Sequence, residues 1–72
     1  MNPKVNSYNI FDEAEPSCIL YHALAENEDQ VKQLAEDEYI DISGLTIELE
    51  RRDVRNQLGK PYYPMIWDAV VH

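Results

Sequence analysis

Residues 18–38, CILYHALAENEDQVKQLAEDE, decide the fold, because one periodicity gives way to another inside them. Over 18–25 the apolar side chains fall on both sides of an alternating pattern: Cys18, Leu20, His22 and Leu24 on one, Ile19, Tyr21, Ala23 and Ala25 on the other. A strand that is apolar on both faces reads as covered on both, and hence as central to its sheet or close to a partner. Asn27 then offers a side-chain oxygen to the first free N–H groups of a helix, and Gln30 stands three residues on, as in a capping box. Glu28 and Asp29 occupy the first turn, where carboxylates favour the positive end of the helix dipole. Val31, Leu34 and Ala35 make an i, i+3, i+4 stripe, with Lys32, Gln33, Glu36 and Asp37 on the opposite side. The pattern predicts a central strand over 18–25 and an amphipathic helix over 28–38.

Working outward, residues 4–11 (KVNSYNIF) alternate weakly, Tyr8 and Ile10 sharing a side, which predicts an edge strand. Residues 12–17 (DEAEPS) are a turn and make the two strands a hairpin. After the helix, 39–44 (YIDISG) form the return, with Gly44 in the turn. Residues 45–50 (LTIELE) alternate cleanly, Leu45, Ile47 and Leu49 towards the core and Thr46, Glu48 and Glu50 towards water. Residues 53–58 (DVRNQL) suggest a short helix capped by Asp53 and stopped by Gly59. Pro61 and Pro64 bracket Tyr62 and Tyr63 in a stiff loop, and 65–71 (MIWDAVV) close the chain as a last strand or a docked apolar tail. The expectation is a single α+β domain over residues 1–72, with a three- to four-stranded sheet and one main helix on one face.

Seventy-two residues make an 8.4 kDa chain of marginal core size. Cys18 is the only cysteine, so no intrachain disulfide can form, a usage that fits a reducing compartment. No charged start followed by an apolar run of signal-peptide length is present, so a cytoplasmic protein is the expectation. Fourteen acids oppose six bases, for a net charge of −8. Residues 12–50 hold twelve acids and only Lys32, a net of −11, while Arg51, Arg52, Arg55 and Lys60 against Asp53 give residues 51–60 a net of +3; Lys4 and Asp68 cancel. Such a charge argues against direct nucleic-acid or membrane-surface binding.

Catalytic and metal chemistry find little support. Cys18 and His22 have a ligand-like spacing, but four residues along one strand face span about 13 Å, too far for a shared zinc ion. Ser17 and Ser43 sit in turns without a neighbouring histidine, and two glycines make no phosphate loop. The only other histidine is His72. The expectation is a non-enzyme without cofactor or metal.

What remains is binding. Asp12, Glu13, Glu15, Glu26, Glu28, Asp29, Glu36, Asp37, Glu38 and Asp41 come from the hairpin turn and both ends of the helix. They read as a solubilising surface, or else some of them, Asp12, Glu13, Glu15, Glu28, Asp29, Glu36, Asp37 and Glu38, read as one acidic face for a basic protein partner. A sharper version of the second reading is mimicry of nucleic acid, with carboxylates occupying a basic cleft built for phosphates. The basic run is expected to pair with Glu48, Glu50 and Asp53. Tyr62, Tyr63 and Trp67 are the alternative partner-binding group, although Trp67 is more naturally a core residue in so small a domain.

Overall fold

Asp12 closes the first hairpin. Its carbonyl accepts from the Glu15 N–H (2.8 Å), and its carboxylate accepts from the Ala14 N–H (3.0 Å). The computed structural model describes residues 4–69. Strands β1 (Asn6–Phe11) and β2 (Ile19–Ala25) run antiparallel on either side of this turn. Helix α1 (Glu28–Asp37) follows, then β3 (Thr46–Arg51) and β4 (Met65–Asp68). All pairings are antiparallel, in the order β3-β1-β2-β4. The small α+β fold with one helix is the one the sequence implies.

The register explains the core. Tyr8 stands opposite Ala23 and Leu49, Ile10 opposite Tyr21 and Ile47, and Ala23 opposite Ile66, so all of these share one face. Helix α1 lays Val31 and Ala35 on that face, against β2 and β4. Ile10, Ala23, Ala25 and Val31 are wholly buried, and alanines on β2 let the helix approach closely. Leu34, Ile42, Leu45, Ile47 and Ile66 pack around them, partly buried.

Both helix ends are made as local chemistry dictates. The Gln30 N–H donates to Asn27 Oδ1 (2.8 Å), while the Gln30 side chain accepts from the Glu26 N–H (2.7 Å), one residue earlier than in a standard capping box. At the other end the Tyr39 N–H reaches the Glu36 carbonyl (3.1 Å) and the Ile40 N–H the Ala35 carbonyl (2.8 Å). That is a Schellman closure, and it holds Tyr39 at φ 57°, a conformation that favours glycine.

Three expectations are corrected. Strand β1 lies inside the sheet and not at its edge, because the chain returns β3 to β1's free side and β4 to β2's. Its weak alternation comes from polar Ser7 and Asn9 on the face away from the helix. Residues 53–58 form no helix: Asp53 sits at φ 51°, unsuited to a helix cap, and the Asn56 carboxamide accepts from the Leu58 and Lys60 N–H groups (2.9 and 3.1 Å). The segment is instead a small arm, bridged at Arg55 and Pro61 and turned at Gly59 (φ 76°), with Leu58 at its tip 80% exposed. Finally, β2 is covered on one face only. Of the closing segment, Met65–Asp68 is a strand, and residues 70 and 71 lie outside the described part, as does His72.

Candidate functional site

The molecule measures 37 × 22 × 21 Å, and its two ends differ in charge. The β1–β2 turn and the α1–β3 loop lie at the same end, since Thr46 stands opposite Phe11. That end gathers Asp12, Glu13, Glu15, Glu36, Asp37, Glu38 and Asp41, all exposed, and neither 12–19 nor 36–46 contains a base. The Ser43 hydroxyl (2.6 Å) and its N–H (2.9 Å) both donate to Asp41 Oδ1, and these bonds, the hydroxyl's foremost, hold that carboxyl below its ordinary value of 3.8. Glu26, Glu28 and Asp29 are at the other end of α1, about 15 Å away at 1.5 Å per residue. Of the eight acids read as one face, Glu28 and Asp29 therefore lie apart, and the other six with Asp41 make a pole.

Tyr39 stands at this pole, 97% exposed and in the left-handed conformation its Schellman position imposes. Sequence reading passed over it as part of the return. The available signal was the absence of glycine just past the helix, where the Schellman closure usually places one.

The opposite end carries the basic loop. The Asp53 N–H donates to Asn6 Oδ1 (3.0 Å), and the Val54 N–H donates to the Val5 carbonyl (2.8 Å), which fixes this loop beside the start of β1. Arg55 pairs with Asp53 (3.0 Å) and donates to the Gly59 carbonyl (2.9 Å). The wider pairing expected of the basic run does not form: among the described residues Arg51, Arg52 and Lys60 have no ion pair, and Glu50 accepts instead from the Ser7 hydroxyl (2.7 Å). A cleft of about 520 Å³ lies here, floored by Ser7 and Leu24 and walled by the 50–55 segment and Tyr62. Its charges balance, Arg51 and Arg55 against Glu50 and Asp53.

Between the poles, the face away from α1 is open. Across it run Asn9, His22 and Trp67 in one row and Ser7, Leu24 and Met65 in the next. His22 Nδ1 donates to Asn9 Oδ1 (2.9 Å), and the His22 and Trp67 rings are 5.7 Å apart. Met65 is 48% exposed and Trp67 38%. Trp67 is thus not part of the helix-side core; Ile66 takes that place. Tyr62 lies half-exposed beside this face, whereas Tyr63 points almost wholly to solvent.

Cys18 is exposed in the turn before β2, and His22 is half-buried within the strand. Among the described residues no three His, Cys, Asp or Glu side chains converge as a metal ion would need. No helix of the described residues is long and apolar enough to cross a membrane. Comparison with protein-family models, curated proteins and solved structures gives no match to this chain.

Proposed function

We propose that this protein is a small, non-catalytic binding or regulatory protein of the cytoplasm whose acidic pole takes a basic protein partner. The observation that carries the reading is the convergence at one end of seven carboxylates and the exposed Tyr39, drawn from the β1–β2 turn and from residues 36–41. Solubility alone calls for dispersed charge and gives no reason to hold a tyrosine in a conformation that costs about 1 kcal/mol or more. An exposed aromatic side chain at the same end as the carboxylates offers both halves of recognition for lysine or arginine, a π face and compensating charge. The lone exposed Cys18 agrees with a reducing compartment. A nucleic-acid-binding enzyme is one partner of the required chemistry, since a folded surface of carboxylates can replace phosphates in its cleft.

The test is capture of partners from the native host's lysate, with the wild type compared to a triple charge reversal (Glu36→Lys, Asp37→Lys, Glu38→Lys) and to Tyr39→Gly. A basic protein should be retained by the wild type at low salt and lost at about 0.5 M salt, where the Debye length is well under the 8 Å of physiological conditions. Both variants should lose it while melting cooperatively. Release of bound nucleic acid from the captured protein would decide for mimicry. Retention of the same protein by the triple reversal, at either salt, refutes the reading.

A further inference from the structure

We infer that the open face of the sheet is the contact surface of a symmetric dimer, two copies packing face to face with their ends reversed.

The first argument is the pattern of β2. Its side chains are apolar on both faces, and such strands are normally covered on both. Helix α1 covers Tyr21, Ala23 and Ala25; on the other side Leu24 stands beside Met65 and His22 beside Trp67, and only at the Leu24 end do Val54, Arg55 and Tyr62 close in, as walls of the cleft. In the polar pair at the centre of this face, His22 and Asn9 bond to each other across β1 and β2. That bond satisfies one group on each side chain, and Asn9 Nδ2 and His22 Nε2 are left to meet polar groups or water across the contact.

Charge selects the occupant and its orientation. The basic loop and the acidic pole lie at opposite ends, so a second copy related by a twofold axis across the strands sets each basic loop over the other's acidic end. It also lays β3 over β3 with direction reversed, which brings Glu48 of each copy to Arg51 of the other. Both are exposed, and Arg51 has no ion pair among the described residues of its own chain. An axis along the strands would instead stack acid on acid. Edge-to-edge addition at β3 is disfavoured by the charged side chains Glu48, Glu50 and Arg51 along it. Four strands about 4.8 Å apart and about 20 Å long give roughly 400 Å² a side before the loops add theirs, against about 800 Å² for a standard interface. The association should accordingly be weak and concentration-dependent.

Sedimentation equilibrium of the full chain tests this. Its mass should climb with concentration towards twice 8.4 kDa, and the emission of Trp67, the only tryptophan, should shift to the blue in step. Met65→Lys should hold the chain at single mass. Glu48→Arg and Arg51→Glu should each weaken association about tenfold, because the pair occurs twice, and the double variant should restore it. Single mass at millimolar concentration overturns the inference and leaves the face to some other partner. So does a dimer indifferent to Met65→Lys, or a double variant no better than its parents. Tyr39→Gly, which removes no charge from the acidic end, should leave self-association in place while releasing the basic partner. Failure of the dimer and failure of the acidic-pole reading are thus told apart.

Discussion

Replacing Ile10 by alanine should come close to unfolding the protein. Ile10 is wholly buried at the middle of β1, between Tyr21 and Ile47 and within the core cluster that Val31 of α1 completes. The substitution removes three carbons, worth about 0.8 kcal/mol each, or about 2.4 kcal/mol. A residual cavity of roughly 50 Å³ adds about 1.2 kcal/mol at about 24 cal/mol per Å³. The loss, about 3.5 kcal/mol, compares with a total of about 4–11 kcal/mol for a 72-residue domain. With a urea slope near 1 kcal/mol/M for a chain this small, the midpoint should fall by about 3 M. Urea titration followed by far-ultraviolet circular dichroism, with Ile10→Val (about 1 kcal/mol) and Glu48→Ala as comparisons, measures it. Should Ile10→Ala melt within 0.5 M or so of Glu48→Ala, the register of β1 under the helix is wrong.

Asn27→Ala should cost about 1 kcal/mol in the same titration, since it removes the acceptor for the Gln30 N–H; a neutral result would discredit the cap. Tyr39→Gly should stabilise the fold by about 0.5–1 kcal/mol while weakening capture of a basic partner, a split that thermal melts and binding together reveal. Ser43→Ala should raise the Asp41 titration midpoint towards its ordinary value, read by carboxyl NMR. A lowered folded-state pKa contributes stability above the unfolded value that is lost as pH falls through the folded one. The wild type should therefore be the more stable of the two near neutrality, and the difference should vanish as pH falls below 3.8 through the wild-type value.

Where neighbouring residues decide a structure, the sequence was legible. The Asp12 turn and the capped helix follow from interactions spanning a few residues, and both are present; on β3 Ile47 packs on the core as read, but Leu49 is 36% exposed and Thr46 half-buried. Position within the sheet is a different kind of fact. Leu34 and Ile47 looked like the core but are only partly buried, whereas Ile10, on a strand read as an edge, is at 0% exposure. Which strand ends up inside depends on where β3 and β4 return, and no local pattern states that. Residues 53–58 misled because the i, i+4 pair Val54 and Leu58 outweighed Asn56, whose carboxamide competes with helix hydrogen bonds. The acids divide as the strands do: Glu28 and Glu36 share a helix but lie at its opposite ends, and only Glu36 joins the acids of the β1–β2 turn.

The strand order also governs how the sheet can be assembled. The two inner strands are the first two in the chain, and their paired residues are only 8 to 19 positions apart (19 − 11 and 25 − 6). The outer pairings span 35 to 44 positions for β3 (46 − 11 and 51 − 7) and 41 to 47 for β4 (65 − 24 and 68 − 21). Each outer strand therefore joins a free margin, and none has to be threaded between strands already paired. A chain emerging from the ribosome could form its hairpin and first helix before the last strand existed, growing the sheet from the middle outwards. Loop-closure entropy favours the same order for the finished chain. Phi values should be highest in β1, β2 and α1 and lowest in β4; a transition state already structured at β4 would contradict this order of growth.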